Sequence, residues 1–349
     1  MNPWAFQRLN EVAVTTFYNE AEYYTWHGMR VLAVDGTRLV LPNHPSVIAE
    51  FGQQQFGPKA DSPRSLAMAS MLYDVLNQIT LDSQLAPYAS SERDLLMQHL
   101  DKMKSGDLLL LDRGYPCFWL LFLLKAKGIE FCVRLKDDWW LKVKDFTESD
   151  EKERIVTFAL PKKDRGKLSD FPEMQNATIT CRLVKVELPN GEKEILCTSL
   201  LDSEKYLFNE INKLYHYRWS EEESYKLLKC RIELENFSGK TALAVRQDFH
   251  AKILLMTLCA AYAHPIEDKV IAEYKADVNR KFGQKINRTN ALSMTQDILI
   301  SVFLRKQFEK AIYAFDRIVA KTREIIRPGR SNPRQKKPKQ LYSMNYKRL

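Results

Sequence analysis

Three acidic residues lie where carboxylates could act together on a phosphate ester. Asp35 follows the apolar run RVLAV, Asp112 follows the run DLLLL, and Glu222 lies in the charged segment LYHYRWSEEESYKLLK. Each apolar run predicts a buried strand that ends at its aspartate, and the charged segment predicts a helix. Hard oxygen ligands select Mg²⁺ or Mn²⁺, and two such ions about 4 Å apart can stabilise both the attacking and the leaving oxygen of phosphoryl transfer. The three residues therefore predict a site with two metal ions and no side-chain nucleophile.

The helix predicted around Glu222 gathers polar and charged groups on one face. At about 100 degrees per residue, an arc of about 60 degrees contains four residues: Tyr215, Arg218, Glu222 and Lys229. Glu221 and Glu223 point about 100 degrees to either side of this arc, so Glu222 is the acidic residue predicted to share the face with the basic groups. A carboxylate flanked by Arg, Lys and a phenol suits a metal ion bound beside phosphates.

Each of these residues also has a purely structural interpretation. An aspartate after a strand often caps the next turn, and Asp-Gly is ordinary turn chemistry. The charged helix face also fits a solvated stripe. The combination of the three carboxylates with the basic residues favours the catalytic interpretation. The sequence has no GxSxG or HExxH motif, and the segment SGKT at 238–241 lacks the glycine of a nucleotide-binding loop, whose position is occupied by Leu234.

The elements around these residues alternate between strands and helices up to about residue 136. The predicted elements are an amphipathic helix at 5–25, two strands around a turn at 74–77, a capped helix from Ser90, a helix at 118–127 and a strand at 129–135. This alternation predicts an α/β sheet. Short β-type runs at 137–203 predict a β-rich insertion. From Glu204 onward the chain predicts helices, namely Tyr215 to Leu234, 243–264 and most of 265–326.

Length and charge limit the class of protein. With 349 residues, of which 45% are hydrophobic, the chain can bury a large core. Eight Lys or Arg and no acidic residue fall in 327–349, which leaves only about +1 of the net charge of +9 for the rest of the chain. A polyanion partner would therefore need a local basic patch on the folded part. The tail itself predicts a flexible segment that orders on an acidic partner, or else a solubilising terminus.

Cysteine usage and hydropathy favour a cytoplasmic protein. The six cysteines show no CxxC pair, which fits a reducing compartment, and the N-terminus does not resemble a signal peptide. The longest apolar runs, 117–124 and 253–263, are far shorter than the roughly 20 residues that span a bilayer. No membrane role is predicted.

The spacing of the charged residues resembles that of bacterial DDE transposases of the insertion-sequence-4 type. The family signature Y-x2-R-x3-E-x6-K is matched by Tyr215, Arg218, Glu222 and Lys229, and the DGT and DRGY contexts of Asp35 and Asp112 are similar to the two aspartate motifs of the family. The likeness extends from about residue 25 to the basic end. It implies a ribonuclease-H-like core formed by 1–136 and 204–264, with a β-strand insertion at 137–203 between the second Asp and the Glu. C-terminal helices at 265–326 and the basic tail at 327–349 would follow.

The resemblance also implies a function. The expected activity is DNA transposition, in which metal-dependent hydrolysis of a phosphodiester at the transposon end precedes strand transfer into target DNA. Asp35, Asp112 and Glu222 would be the catalytic residues and would hold two Mg²⁺ or Mn²⁺ ions. The expected partners are double-stranded DNA and, on DNA, a second copy of the chain, in the cytoplasm at the bacterial nucleoid.

Further residues are predicted to contact DNA. The resemblance implies that the Tyr, Arg and Lys of the signature, Tyr215, Arg218 and Lys229, bind phosphates, and Arg113 is a further candidate, with a plain surface charge as the alternative. Trp139 or Trp140 could stack on a flipped base, although core packing accounts for either ring equally well.

Two other functions remain open. The chain could be a hydrolysis-only nuclease of the same fold, or a non-catalytic DNA-binding derivative of a transposase. Family members usually carry a longer region ahead of the first aspartate, so we expect either a shortened protein or a fragment, for which autonomous recognition of the transposon ends is not predicted.

Overall fold

The computed structural model of the protein describes residues 2–55, 63–136, 140–188, 191–277, 279 and 281–326. The chain divides into two compact units. The first unit draws on Met1–Glu22, Arg38–Ala67 and Tyr225–Leu349, and the second on Tyr23–Thr37 and Met68–Ser224.

Strands and helices alternate along most of the chain. The strands are β1 (Val31–Val40), β2 (Gln53–Gln54), β3 (Arg64–Asp74), β4 (Ile79–Pro87), β5 (Leu108–Leu111), β6 (Glu130–Leu135), β7 (Glu153–Ala159), β8 (Thr178–Glu187), β9 (Lys193–Thr198), β10 (Gln284–Ile286) and β11 (Arg323–Ile325). The α-helices are α1 (Pro3–Glu20), α2 (Pro45–Phe51), α3 (Glu92–His99), α4 (Phe118–Ala126), α5 (Leu141–Glu148), α6 (Phe208–His216), α7 (Trp219–Cys230), α8 (Ala242–Ala276), α9 (Arg288–Arg305) and α10 (Phe308–Lys321). Short 3-10 helices span Leu100–Lys102, Lys162–Leu168 and Pro172–Gln175.

The main sheet is mixed, which confirms the predicted α/β class. Its strand order is β2-β3-β1-β5-β6-β9-β8-β7, with β4 paired to β3. β1 pairs with β5 and β5 with β6 in parallel. The pairs β6–β9, β9–β8 and β8–β7 are antiparallel. The four leucines of β5 are fully buried, as expected for a parallel strand covered on both faces. The sheet thus provides a rigid base for residues at the ends of its central strands.

Several predicted elements are confirmed with their turn and cap chemistry. β3 and β4 are joined through a turn in which the Asp74 carboxylate accepts hydrogen bonds from the backbone N–H groups of Leu76 and Asn77, each at 3.0 Å. α3 begins after Ser91, whose hydroxyl accepts a hydrogen bond from the Arg93 N–H at 3.2 Å. These contacts satisfy backbone donors that would otherwise lack partners.

Three predictions about elements are wrong. β1 does not end at Asp35 but continues to Val40, so this aspartate lies inside a strand. The helix expected from Tyr215 to Leu234 is divided, since α6 ends at His216 and α7 begins at Trp219. Residues 141–148 form α5, a helix inside the region expected to be β-rich.

The strands of the region 137–203 extend the main sheet. β9 pairs with β6 through the register Cys132↔Thr198 to Leu135↔Ile195, and β8 and β7 follow outward. β-strands are therefore present where the sequence predicted them, and they continue the sheet that carries Asp35. The residues 137–139, and with them Trp139, lie outside the described part of the chain, as does the tail 327–349.

A buried polar group lies under the β3–β4 hairpin. The fully buried His99 ring lies between the Ser70 hydroxyl, 3.0 Å from Nε2, and the Asp82 carboxylate, 2.7 Å from Nδ1. The arrangement has the order of a Ser-His-Asp triad, but Ser70 is fully buried and its hydroxyl cannot meet a substrate. The group therefore stabilises the packing of α3 against the hairpin.

The first unit is mainly helical. α1 packs along α8, where the ring of Phe17 meets that of His264 edge-on at 5.2 Å. α9 and α10 pack against α8 and against each other, and β10 pairs with β11. The helices predicted at 243–264 and 265–326 are thus confirmed, although α8 is longer than expected. Within the described residues, no helix combines the length and apolar character needed to cross a membrane.

Candidate active site

Asp35 and Asp112 lie beside each other because β1 and β5 pair in parallel. The register joins Ala33 to Leu110, and each aspartate is two residues further along its own strand direction. Neighbouring strands are about 5 Å apart, and residues two apart along a strand point to the same face. The strand register therefore brings the first two predicted carboxylates to one place, even though Asp35 is inside its strand rather than at its end.

Asp35 is held by its backbone and surrounded by other acidic groups. Its amide N–H donates to Glu221 Oε1 at 2.8 Å, and its own Oδ1 accepts from the Gly36 N–H at 2.8 Å. Burial raises the pKa of the Asp35 carboxyl to about 6, and the charges of Glu92 and Glu222 act in the same direction, while the Gly36 N–H and Arg218 oppose them. The site thus concentrates negative charge that its cationic residue only partly balances.

Arg218 links the predicted carboxylates. Its Nη2 donates to Glu222 Oε1 at 3.0 Å, and its Nη1 lies 3.9 Å from Asp35 Oδ2. Burial acts to lower the pKa of Arg218, but neighbouring groups that include Asp112 and Glu222 outweigh it and raise the pKa. The side chain is 5% exposed, and its Nε has no hydrogen-bond partner among the described residues. One guanidinium therefore pairs with Glu222, lies near Asp35 and interacts with Asp112 through its charge.

The break between α6 and α7 separates Tyr215 from the other residues of the signature. Tyr215 lies in α6, Arg218 lies in the turn, and Glu222 lies in the first half of α7. The prediction that a single helical arc carries them is therefore wrong. The Tyr215 ring is only 3% exposed and belongs to the apolar core, and burial raises the pKa of its phenol above the usual range. Its contact with a phosphate stays a prediction.

The other two predicted phosphate contacts differ in exposure. Arg113 is exposed directly after Asp112. Lys229 belongs to the first unit, where its Nζ donates to the Arg38 carbonyl oxygen at 2.7 Å, and burial lowers its pKa. The structure thus presents Arg113 to solvent and gives Lys229 a backbone partner.

The partly buried ring of Trp140 packs against two other aromatic rings. Its ring stacks on Phe118 with 4.0 Å between centroids and meets Phe158 at 5.0 Å. Of the two roles predicted for this ring, core packing is the one that its contacts show in this structure. A base could stack only on the face of the Trp140 ring opposite Phe118.

Glu221 is a site residue that sequence reasoning missed. Its carboxylate is fully buried, Oε1 accepts the hydrogen bond from the Asp35 amide, and Oε2 has no hydrogen-bond partner among the described residues. Burial raises its pKa well above the usual range, and the Asp35 charge acts in the same direction. The signal that could have found it is the helical spacing i, i+3, i+4, i+7, which marks the buried face of a helix. On α7 the buried residues at this spacing are Glu221, Ser224, Tyr225 and Leu228.

Comparison with known proteins finds a family that covers most of the chain. Residues 26–258 match the protein family described as the transposase DDE domain, and this range contains all of the predicted catalytic residues. The chain belongs to this family.

Two curated relatives of this DDE domain come from Escherichia coli K12. The chain is 24% identical over 260 residues to the transposase InsG of insertion sequence element IS4, which covers 73% of the chain and 57% of InsG. It is 26% identical over 103 residues to the putative transposase InsZ, which covers 30% of the chain and 34% of that protein. The chain thus spans about half or less of the length of these relatives.

A solved structure also resembles the chain in part. It is the piggyBac transposase in a cryo-EM structure of its synaptic complex with hairpin DNA. The TM-score is 0.46 with 9% sequence identity, and the match covers 82% of this chain and 57% of that chain.

The candidate metal ligands of the DDE domain are of the kind that hard divalent cations prefer. The candidate ligands Asp35, Asp112 and Glu222 offer only carboxylate oxygens, which is the preference of Mg²⁺ and Mn²⁺. Within the described residues, no three His, Cys, Asp or Glu side chains are already arranged to hold a metal ion. In this arrangement Arg218 pairs with Glu222 and lies near Asp35. The buried Glu221 carboxyl, whose Oε2 has no hydrogen-bond partner among the described residues, adds a further acidic group whose charge a bound cation would balance.

Arg93 supports the turn that carries the second aspartate. Its Nε donates to the Tyr115 carbonyl oxygen and its Nη2 to that of Gly114, each at 2.9 Å. These two bonds tie the start of α3 to the DRGY turn that begins at Asp112. The sequence reasoning identified the cap of α3 but not this support.

Proposed function

We propose that this chain is the catalytic part of a metal-dependent DNA transposase, in which Asp35, Asp112 and Glu222 bind two Mg²⁺ or Mn²⁺ ions. The observation that carries the proposal is the parallel register of β1 with β5, combined with the contacts of Arg218. Together they bring residues from three distant parts of the sequence to one point. Membership of the DDE domain family supports the same residues.

We also propose that the sheet around the site is a ribonuclease-H-like core. The order β4-β3-β1-β5-β6, with parallel β1, β5 and β6, supports this assignment because it makes the two strands that lead to the aspartates direct neighbours. The proposed core takes residues 1–136 and 204–264, and the strands of 137–203 are its extension. The helices of 265–326 form a separate C-terminal region in this proposal.

Each part of the proposed site has a different role in the reaction. When bound, the divalent cations supply Lewis-acid activation of the attacking hydroxyl and stabilisation of the leaving oxygen. Asp35 is kept in place by the hydrogen bond between its amide and Glu221, so little reorganisation of the backbone is needed. Arg218 pairs with Glu222 in the present arrangement, and where Glu222 held a cation its guanidinium would be available to donate to a phosphate.

The proposed partner is double-stranded DNA, as transposon ends and as target. Arg113 is exposed beside the second aspartate, where it can meet a phosphate. Lys229 would reach DNA by exchanging its bond to the Arg38 carbonyl for a phosphate oxygen. Because a transposon has two ends, we propose that two copies of the chain act together on DNA.

The test is DNA cleavage by a matched pair of variants. The full chain, Glu222→Gln and Glu223→Gln would be incubated with linear DNA that carries the sequences flanking the coding region, with Mg²⁺ or Mn²⁺ or with a chelator. Glu223 is the exposed neighbour of Glu222 and controls for the loss of one negative charge on the same helix. We expect nicks with 3′-hydroxyl ends that require metal, persist in Glu223→Gln and are lost in Glu222→Gln.

The products also separate the alternatives. Joined DNA products would support transposition, whereas nicks without joining would favour a hydrolysis-only nuclease. Binding of DNA without cutting, or background cutting that is equal in all three proteins, would overturn the catalytic proposal. Either of these results would favour a DNA-binding derivative of a transposase.

A further inference from the structure

Glu92 places a carboxylate between the two aspartate motifs. A Cβ atom added to Gly36 would lie 2.9 Å from Glu92 Oε1, and one added to Gly114 would lie 3.7 Å from Glu92 Oε2. Gly36 follows Asp35, and Gly114 lies in the turn that begins at Asp112. The Glu92 carboxylate therefore approaches both motifs, and the missing side chain of Gly36 leaves room for its present position.

The Glu92 carboxylate has no partner of its own in the described part of the chain. No hydrogen bond or ion pair from a described residue reaches it, although it interacts electrostatically with Asp35 and Tyr115. It lies in the first turn of α3, yet Arg93, the next residue, donates to backbone carbonyls instead. A carboxylate close to a second, largely buried carboxylate is unfavourable unless a cation lies near both.

Tyr115 provides an independent observation at the same place. Its ring is 1% exposed, and its hydroxyl has no hydrogen-bond partner among the described residues. Burial raises the pKa of this phenol well above the usual range, and four carboxylates add to the effect: Asp35, Glu92, Glu221 and Asp112. The hydroxyl is thus buried within electrostatic range of these carboxylates, and buried polar atoms normally have partners.

We propose that Glu92 is a fourth carboxylate of the divalent-cation site, facing the same ions as Asp35 and Asp112. The inference rests on the proposed function, since it concerns the same ions. Glu92 comes from α3, so the site would draw on a helix that neither aspartate motif contains. A side chain at position 36 would then displace the Glu92 carboxylate from its present place.

The test measures binding of Mn²⁺ to the full chain without DNA. Free Mn²⁺ would be counted by electron paramagnetic resonance for the wild type, Glu92→Gln, Asp94→Asn and Asp35→Asn. Asp94 is the matched control, since it is an acidic residue in the same first turn of α3. We expect Asp35→Asn to abolish binding, Glu92→Gln to weaken it by about tenfold or more, and Asp94→Asn to leave it unchanged.

Thermal unfolding separates metal binding from a structural role. Without metal, Glu92→Gln should unfold at the same or a higher temperature than the wild type, because it removes repulsion between carboxylates. With Mn²⁺ added, the wild type should gain more in Tm than Glu92→Gln. A variant that is destabilised without metal but gains as much from Mn²⁺ as the wild type would overturn the inference.

Failure of this inference differs from failure of the proposed function. If Asp35→Asn loses Mn²⁺ while Glu92→Gln binds it as tightly as the wild type, Glu92 is not a ligand and the proposed function stands. If the wild type itself binds no Mn²⁺, both the inference and the metal-dependent function are overturned.

Discussion

The hydrogen bond between Asp35 and Glu221 leads to a prediction about stability and activity together. Glu221 is fully buried, and its Oε1 accepts the Asp35 amide N–H at 2.8 Å. Glu221→Ala removes the acceptor and leaves this amide without a partner. Glu221→Gln keeps an oxygen that can accept the bond, and it removes a buried group that carries charge when ionised.

The size of the effect follows from these contacts. A buried donor left without an acceptor costs about 1–3 kcal/mol, and the Asp35 amide is only partly buried, so the lower half of this range applies. Truncation to Ala also removes buried methylene surface, worth about 0.8 kcal/mol per group. We therefore expect Glu221→Ala to lower the free energy of unfolding by about 2–3 kcal/mol. Glu221→Gln should stay within about 1 kcal/mol of the wild type, because an uncompensated buried charge is itself unfavourable.

The assay is urea unfolding at neutral pH without metal, followed by DNA cleavage with Mn²⁺. Glu223→Ala, at an exposed position of the same helix, controls for helix propensity and net charge. Cleavage should fall strongly in Glu221→Ala and persist in Glu221→Gln, since the latter still holds the Asp35 backbone. Equal loss of stability and cleavage in both variants would refute the reasoning, because the charge of Glu221 and not its hydrogen bond would then be what matters.

Three further predictions concern residues around the site. Arg93→Ala should lower stability by about 1–3 kcal/mol in thermal unfolding, because the carbonyls of the DRGY turn lose two donors, and Arg93→Lys should recover less than half of this. The second prediction concerns Asp82, where burial acts to raise the pKa of the carboxyl but the hydrogen bond to His99 outweighs it and holds the pKa below its ordinary value. The stability from this pair is present above about pH 4 and lost as the pH falls further, so acid unfolding should be shallower in Asp82→Asn than in the wild type. Trp140→Ala should cost about 2 kcal/mol through the lost stack on Phe118 and leave DNA affinity unchanged.

Each of these predictions has an outcome that contradicts it. Full recovery in Arg93→Lys would mean that charge, and not the two-pronged geometry, supports the turn. An acid-unfolding profile of Asp82→Asn that matches the wild type would show that the pair adds no pH-dependent stability. A loss of DNA affinity in Trp140→Ala with unchanged stability would favour base stacking over core packing.

The sequence predicted the strands of the site well because they are buried. The runs before Asp35 and Asp112 are continuous apolar segments, and short runs of this kind are typical of strands covered on both faces. The end of β1 was misplaced because Asp-Gly-Thr is typical of turns. In the structure this segment stays in the strand and Glu221 accepts the Asp35 amide, a contact between residues 186 positions apart that no local pattern can reveal.

The helix that carries Glu222 shows a different limit of sequence reasoning. A continuous helix through Tyr215 and Arg218 fits the periodicity, and no Pro or Gly marks the break after His216. The break changes which side chains share a face, so Tyr215 is buried while Glu222 is partly exposed. Glu92 could not be found from spacing either, because its place depends on the absence of a side chain at Gly36.

The position of Asp35 inside β1 has a consequence for how the site can be observed. Its amide proton is bound to the carboxylate of a buried residue and can exchange with deuterium only when that bond opens. The exchange rate of this one amide therefore reports the local opening of the site without any substrate or metal. A variant elsewhere in the chain that loosens the site would reveal itself at this proton before the protein as a whole unfolds.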